Sequence, residues 1–134
     1  MSEFDFSAEA FLTNAESEKV VLGSILLEPE LLKDCYLAPE NFGIAKHQVM
    51  FEVFKDMEER SIPLDIVSVP EVAGSNRMVL MGGLGALMEL ATSVFTATNF
   101  SYHQDNVLDY YKKRSIYGIA KNLMQSAPNM TLEE

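Results

Sequence analysis

A glycine-rich turn is the part of the sequence that comes nearest to a nucleotide-binding motif. The apolar run Arg77–Met81, a short strand or packed coil, precedes glycines at positions 82, 83 and 85, and a helix is predicted from Leu84 to about Ala91. Dinucleotide-binding loops have a Gly-x-Gly-x-x-Gly pattern between a strand and a helix of a parallel sheet. Met88 occupies the last glycine position, and the sequence lacks repeated strand and helix patterns, so we interpret the glycines as a helix entry. The ATPase pattern Gly-x-x-x-x-Gly-Lys-Ser/Thr is absent from the sequence.

Residues of the types that bind metals or transfer protons are few and widely spaced. His47, His103 and Cys35 are the nitrogen and sulfur ligands available, and no two of them have the short spacing of a zinc site. His47 is near a predicted helix start, where a hydrogen bond to the backbone is the expected role. Glu58 and Glu59 are expected on a solvated helix face rather than as a catalytic pair. We predict no catalytic residue, no cofactor site and no metal site in these residues.

The charge of the chain argues against a surface that binds nucleic acid. The net charge is -10, and residues 1–111 carry 6 basic and 18 acidic side chains, whereas residues 112–134 carry 4 basic and 2 acidic ones. Domains that bind nucleic acid neutralise phosphates with clustered lysine and arginine. The short basic run Lys112–Arg114 has three open interpretations: phosphate contact, a solvated face, or contact with an acidic patch on a partner protein. We expect little direct binding of nucleic acid.

The cysteine content and the N-terminus indicate a cellular compartment. Cys35 is the single cysteine, which excludes a disulfide within the chain and fits a reducing environment. No apolar run approaches the ~20 residues that cross a bilayer, and Glu3 and Asp5 stand where a signal peptide would be basic. We predict a cytoplasmic protein without a membrane partner.

The elements that position these residues begin with a helix from Asn14 to Leu27. From Val20 onward it is apolar on almost every side, so other elements must cover it from several directions. Thr13 and Glu16 have the spacing of a capping box, with Asn14 as a competing N-cap. This helix is predicted to be the centre of the fold.

The next elements follow from prolines, glycines and apolar spacing. They are a short helix at Pro29–Cys35, a turn at Pro39–Phe42, a helix at Ile44–Glu59, a turn at Gly74–Asn76 and the helix at Leu84–Ala91. The helix before Gly74 begins either at Asp65 or, as we prefer, at a cap on Ser68 that places Pro70 in its first turn. Gly23, inside the first helix, costs about 1 kcal/mol relative to alanine, which predicts a close neighbour.

The longest predicted element is a helix from an Asn99 N-cap to about Gln125. At 1.5 Å per residue it is about 40 Å long, whereas a body of ~98 residues has a radius of gyration of about 13 Å, so the helix should project. Pro128 breaks it, and Thr131 and Glu134 have the spacing of a new capping box. We expect the chain to continue into the returning arm of a helical hairpin.

The predicted fold is all-α: a compact multi-helix globule followed by a long helix that begins a helical hairpin. The expected organisation is an N-terminal arm at 1–13, a helical globular domain at 14–98 and the first arm and turn of the hairpin at 99–134. The N-terminal arm alternates acidic and aromatic residues and is either loose or a short helix laid on the body.

The far part of the long helix carries apolar side chains that the globule cannot cover. They pack either against the returning hairpin arm or against another subunit, and both can hold together. We predict a subunit interface at Ile116, Ile119, Ala120, Leu123 and Met124.

An ordered series of motifs resembles the N-terminal domain of the DnaB-type replicative DNA helicases. The first is the run from Asn14 to Leu27 followed by Pro29, Glu30 and Leu31. The next are Pro39, Glu40 and Phe42, then His47, Gln48 and Phe51, then Ile62–Val67. The last are Gly82, Gly83, Leu87, Glu89, Leu90 and Ala91, then Thr96, Ala97, Asn99, Tyr102 and Val107. The sequence departs from the family pattern at Phe95, Ala86, Pro70 and before Thr13, which is expected of a phage or divergent member.

The resemblance implies a non-catalytic oligomerisation domain of a hexameric helicase, with partners that are other copies of the chain, the C-terminal domain of primase and a helicase loader. ATP and Mg²⁺ would bind a later domain, and none is expected here. The resemblance suggests partner docking at Tyr110, Tyr111, Ile116 and Tyr117. The alternative is a free-standing acidic helical adaptor, a helicase loader or inhibitor that shares the fold.

Overall fold

The computed structural model describes residues 12–129, and the elements over that range are all helical. The α-helices are α1 (Ala15–Leu27), α2 (Ala45–Glu59), α3 (Ser68–Leu80), α4 (Gly83–Ser93) and α5 (Phe100–Ser126). Short 3-10 segments lie at Pro29–Asp34, Pro39–Asn41 and Ala127–Asn129. The all-α prediction is confirmed. Most of the predicted N-terminal arm (residues 1–11) and the predicted capping box of Thr131 and Glu134 lie outside the described residues.

Helix α1 lies at the centre of the fold and packs against α2, α4 and α5. Residues 21–25 leave no free face, since all five are buried and Val21, Leu22 and Ile25 are 0% exposed, whereas Leu27 at the end of the helix is 46% exposed. The other fully buried large apolar side chains come from several elements and are Phe42, Met50, Phe51, Val53, Phe54, Met57, Met81 and Leu87. The prediction that α1 must be covered from several directions is therefore confirmed.

The start of α1 distinguishes between the two predicted caps. Asn14 is the N-cap, and its Oδ1 accepts a hydrogen bond of 3.0 Å from the backbone N–H of Ser17. The Thr13–Glu16 capping box is wrong, and the competing prediction is right. An asparagine oxygen at this position satisfies one of the amides that the first helical turn leaves without a partner.

Helix α3 differs from its prediction in its second half. It begins at Ser68, close to the preferred start, but the predicted Ser68 cap is wrong. The amides of Val67 and Ser68 instead donate to Oδ1 of Asp65 at 2.8 Å each. Both hydrogen bonds favour the ionised carboxylate and so lower the pKa of Asp65, and the bond from the Ser68 N–H has the larger effect. The predicted turn at 74–76 is a kink at Gly74, where φ is 75°, and the run from Arg77 to Leu80 is helical, neither strand nor coil.

Arg77 explains why the helix resumes after the kink. Its guanidinium donates to the carbonyls of Val72 at 2.9 Å and Ala73 at 3.1 Å, two acceptors next to the kink at Gly74. It also reaches the carboxylate of Asp56 on α2 at 3.3 Å. A local sequence pattern does not show these partners, so the prediction of a strand or packed coil from Arg77 is wrong.

Candidate interaction surface

Helix α5 divides into a half that the globule buries and a half that projects from it. Phe100, Gln104 and Val107 are 5%, 3% and 1% exposed. Beyond Arg114 the large apolar side chains are instead open to solvent, with Ile116 at 68% and Leu123 at 54%. The predicted projection of the long helix is present in the structure.

The exposed apolar side chains of the far half lie together on one side of α5. At 3.6 residues per turn, Ile119 and Leu123 point away from Val107 and Arg114, which face the globule. All the residues predicted for the subunit interface are exposed, and we call them the projecting face: Ile116, Ile119, Ala120, Leu123 and Met124. A solvent-exposed surface with this many neighbouring apolar side chains is typical of a protein–protein interface.

The residues predicted for partner docking differ in their exposure to solvent. Ile116 belongs to the projecting face, whereas Tyr110, Tyr111 and Tyr117 are half-buried. Lys113 Nζ lies 4.6 Å from the centre of the Tyr110 ring, and the Arg114 guanidinium lies 6.0 Å from that of Tyr111. The two tyrosine rings are thus already engaged by cations of the same helix.

The basic run Lys112–Arg114 does not act as one group. Arg114 donates hydrogen bonds of 2.8 Å to the backbone carbonyls of Leu12 and Asn41, and so ties α5 to two other segments. Burial lowers the pKa of its guanidinium, while the Glu18 carboxylate opposes that shift. Lys113 pairs with Asp109 at 3.6 Å on an exposed face. Arg114 is a structural residue, and Lys112 and Lys113 remain on the surface.

A buried carboxylate beneath α5 is the main polar feature that the sequence did not reveal. Glu18 is 1% exposed, and its oxygens accept from the N–H of Gly43 at 2.6 Å and that of Ile44 at 3.3 Å. His47 Nδ1 lies 2.8 Å from Glu18 Oε1, and because a carboxylate only accepts, the ring is the donor. The predicted backbone partner of His47 is therefore wrong. We call Glu18, His47 and these two amides the Glu18 node.

A second polar contact joins α1 to α5 and has the appearance of a nucleophile with its base. Ser17 Oγ lies 2.9 Å from His103 Nδ1, and Asn106 Nδ2 donates to the same hydroxyl at 3.3 Å. Ser17 is 2% exposed, so a substrate cannot reach its oxygen. The contact holds α5 against α1. A 3.0 Å hydrogen bond from the N–H of Tyr36 to Gln104 Oε1 ties α5 to the chain that follows the Pro29–Asp34 segment.

The other residues considered for catalysis or metal binding have ordinary surroundings. Glu58 pairs with Lys55 at 3.4 Å, and Glu59 is exposed. Burial raises the pKa of the Cys35 thiol, which disfavours the reactive thiolate. Over residues 12–129 no three or more histidine, cysteine, aspartate or glutamate side chains are grouped as metal ligands, and no helix is long and apolar enough to cross a membrane.

A family model described as the DnaB-like helicase N terminal domain matches residues 11–109. The chain belongs to this family. It is similar to the replicative DNA helicase DnaB of Geobacillus stearothermophilus, with 34% identity over 128 residues that cover 93% of this chain and 28% of the helicase. It is also similar to the replicative DNA helicase DnaC of Bacillus subtilis, with 34% identity over 93 residues, or 67% of this chain and 20% of that protein.

Solved structures of DnaB proteins share the fold. One is the structure of a DnaB-like replicative helicase, which was studied together with the interactions of that helicase with primase. The comparison gives a TM-score of 0.77 and 36% identity, and it covers 87% of this chain and 28% of that one. Another is the N-terminal domain of DnaB helicase from Mycobacterium tuberculosis, with a TM-score of 0.83 and 24% identity, over 90% of this chain and 88% of that one. The second likeness supports the fold alone.

The DnaB N-terminal domain is the non-catalytic part of DnaB-type helicases, which agrees with the prediction that these residues form no enzyme. The chain spans less than a third of the length of the replicative helicases named above. The glycines that precede α4 lie at a helix entry, as the sequence predicts. Gly82 and Gly83 have φ of 94° and 82°, and they join helix α3 to helix α4 rather than a strand to a helix.

Proposed function

We propose that this domain joins subunits of a replicative helicase through the projecting face of α5 and docks primase or a helicase loader beside it. The observation that carries the proposal is that face: aliphatic side chains at helical spacing that remain exposed, beyond the point where Arg114 ties α5 to the globule. Similarity to replicative helicases supports this function over a free-standing adaptor.

The apolar area of the projecting face favours self-association. Burying one isoleucine or leucine side chain is favourable by about 1.5–3 kcal/mol. Ile116, Ile119 and Leu123 would give a helix-to-helix contact with a returning hairpin arm, another subunit, or both. Their i, i+3 and i+7 spacing is the pattern by which one helix interlocks with another.

Primase docking is proposed by similarity and by position. The related DnaB-like helicase has been studied for its interactions with primase. In this chain, Tyr110, Tyr111, Ile116 and Tyr117 lie along α5 where it leaves the globule. Aromatic side chains beside an exposed aliphatic one are common anchors in protein interfaces.

The whole protein is proposed to be an ATP-dependent DNA helicase that works in the cytoplasm as a ring of six chains. ATP and Mg²⁺ would bind a domain other than this one. The net charge of -10 disfavours a large contact with DNA through this domain, so its proposed partners are proteins.

Placing a charge on the projecting face is expected to weaken self-association. Ile119→Asp and Leu123→Asp should each raise the dissociation constant by about tenfold or more, because a buried carboxylate without a partner is costly. Sedimentation velocity over a concentration series measures the constant for the 134-residue chain. Asn122→Asp is the matched control, since it adds the same charge on an exposed position of the same helix. Equal self-association of all variants would refute the interface.

Removing the proposed docking residues is expected to weaken primase binding. Ile116→Ala combined with Tyr117→Ala should raise the dissociation constant for the primase C-terminal domain by roughly 5- to 30-fold, the range for one or two interface anchors. Titration calorimetry gives the constant. Tyr36→Ala is the control, because Tyr36 is exposed but contacts the opposite end of α5 through its backbone. An unchanged affinity for primase would remove both residues from the docking site.

A further inference from the structure

A cleft opens between α1, α2 and α4, and none of the described α5 residues lines it. Its volume is 270 Å³, slightly below the roughly 300–1,000 Å³ of sites for drug-sized ligands. The inner wall of the cleft is apolar and comes from Met50 on α2, Met81 before α4 and Leu90 on α4, which are at most 6% exposed. A cleft of this size and lining suits one side chain of another molecule.

His47 supplies a polar group on the same wall. Its side chain lines the cleft and is 6% exposed, and its Nδ1 donates to Oε1 of Glu18. In a neutral ring that carries its proton on Nδ1, the other nitrogen, Nε2, is an acceptor. Over residues 12–129, Ser24 Oγ is the buried side-chain polar atom without a partner, so Nε2 is not enclosed in the same way. Nε2 is therefore available to a hydrogen-bond donor that enters the cleft.

The charges at the edge of the cleft balance one another. Glu16 and Lys19 lie on α1 and pair at 3.7 Å, Lys46 lies on α2, and Glu89 lies on α4. An anion or a cation would each meet a like charge as well as an opposite one at this edge. The lining therefore favours a neutral group that donates one hydrogen bond.

The cleft also favours an aromatic ring. Methionine sulfur makes favourable contacts with aromatic rings, and Met50 and Met81 both line the cleft. The stem of Lys46 lies across Gly82, since a Cβ built on that glycine would be 3.1 Å from Lys46 Cδ. An ammonium group held at the edge in this way can lie over the face of a bound ring. An aromatic ring that also carries a hydrogen-bond donor is a phenol.

We propose that the cleft binds a tyrosine side chain of a partner protein, with the ring against Met50 and Met81 and the hydroxyl donating to His47 Nε2. Phenylalanine lacks the donor, and the ring of tryptophan is larger. The Glu18 node then has a second role, because its carboxylate holds the His47 proton on Nδ1 and so keeps Nε2 as an acceptor. The cleft is separate from the projecting face, and the proposal does not rest on what binds there.

Nuclear magnetic resonance of the chain labelled at its methionine methyl groups tests the proposal. N-acetyltyrosinamide is expected to shift the signals of Met50 and Met81 saturably and to leave that of Met124, on the projecting face, unchanged. N-acetylphenylalaninamide should bind about 2- to 10-fold more weakly, the effect of one hydrogen bond. No saturable shift at Met50 and Met81, equal affinity for the two probes, or tighter binding of N-acetyltryptophanamide would overturn the proposal.

Two variants on α4 test the location of the site. Ala86→Phe fills the cleft from a half-buried position in its lining and should abolish the saturable shift. Gly85→Phe is the matched control, since it adds the same ring at an exposed neighbour with nothing within 4 Å, and it should bind like the original chain. Loss of binding in both variants, or in neither, would contradict the location. The comparison of probes needs no variant and so decides the question if Ala86→Phe fails to fold. Ile119→Asp should bind the probe normally, which separates this test from that of the subunit interface.

Discussion

Replacing Glu18 with alanine is expected to lower the free energy of unfolding by about 3–5 kcal/mol, the cost of removing one member of a buried charged network. The substitution leaves the amides of Gly43 and Ile44 and the His47 ring without their acceptor. Because Glu18 is 1% exposed, water cannot replace the carboxylate without opening the packing between α1 and α2. Urea denaturation followed by circular dichroism measures the change.

The matched control for Glu18→Ala stands two residues away. Glu16 lies on the same helix turn, but its side chain is 85% exposed and pairs with Lys19 at 3.7 Å. Exposed pairs of this kind contribute about 0–1 kcal/mol, so Glu16→Ala should have little effect. Equal losses for the two alanine variants would show that the Glu18 node is unimportant. The loss of unfolding free energy for Glu18→Gln should lie between those of the two alanine variants. Glutamine keeps one acceptor oxygen but replaces the other with an NH₂ group, which faces a hydrogen-bond donor.

Enlarging Gly23 is expected to give the second large loss, about 2–3 kcal/mol of unfolding free energy for Gly23→Val. A Cβ at this position would lie 3.0 Å from the backbone oxygen of Leu90 and 2.5 Å from Cγ2 of Val94. Both neighbours are at the end of α4, so the new side chain would force α1 and α4 apart. Replacing glycine with valine would by itself raise the helix propensity of α1. A loss of stability would therefore show that the steric clash outweighs this gain.

Two further variants isolate the close approach of α1 and α4. Gly85→Val makes the same change in an exposed helical position where nothing lies within 4 Å, and it should alter the unfolding free energy by no more than about 0.5 kcal/mol. Val94→Ala removes the closest atom and should recover part of the loss of Gly23→Val. A loss that is the same in the Val94→Ala background would mean that the contact does not cause it. Thermal denaturation of the four variants provides the comparison.

These two sites connect the core to the proposed function. Glu18 and Gly23 lie on one helix, and each sets how closely another element can approach it. The Glu18 node fixes the segment at Gly43 and Ile44, beside the carbonyl of Asn41 that holds Arg114. We therefore expect the Glu18 node to help set the direction in which α5 leaves the globule.

The sequence by itself determined the features that depend on local spacing. The apolar run of α1, the lack of proline between residues 99 and 127 and the stripe at Ile116, Ile119 and Leu123 were enough to predict an all-α fold with a central helix and a projecting one. Gly23 was read correctly as a point of close packing, because glycine inside a helix is unfavourable unless something requires it.

Only the tertiary structure decided which polar residues are buried and which partners they have. The groups that donate to the Glu18 carboxylate come from residues 43, 44 and 47, and no local sequence pattern connects these residues to Glu18. Arg77 and Arg114 likewise bind backbone carbonyls of other segments, which become available only after the chain has folded. Apolar spacing reports on burial because it repeats along one element, whereas a polar contact pairs two distant segments and leaves no such period in the sequence.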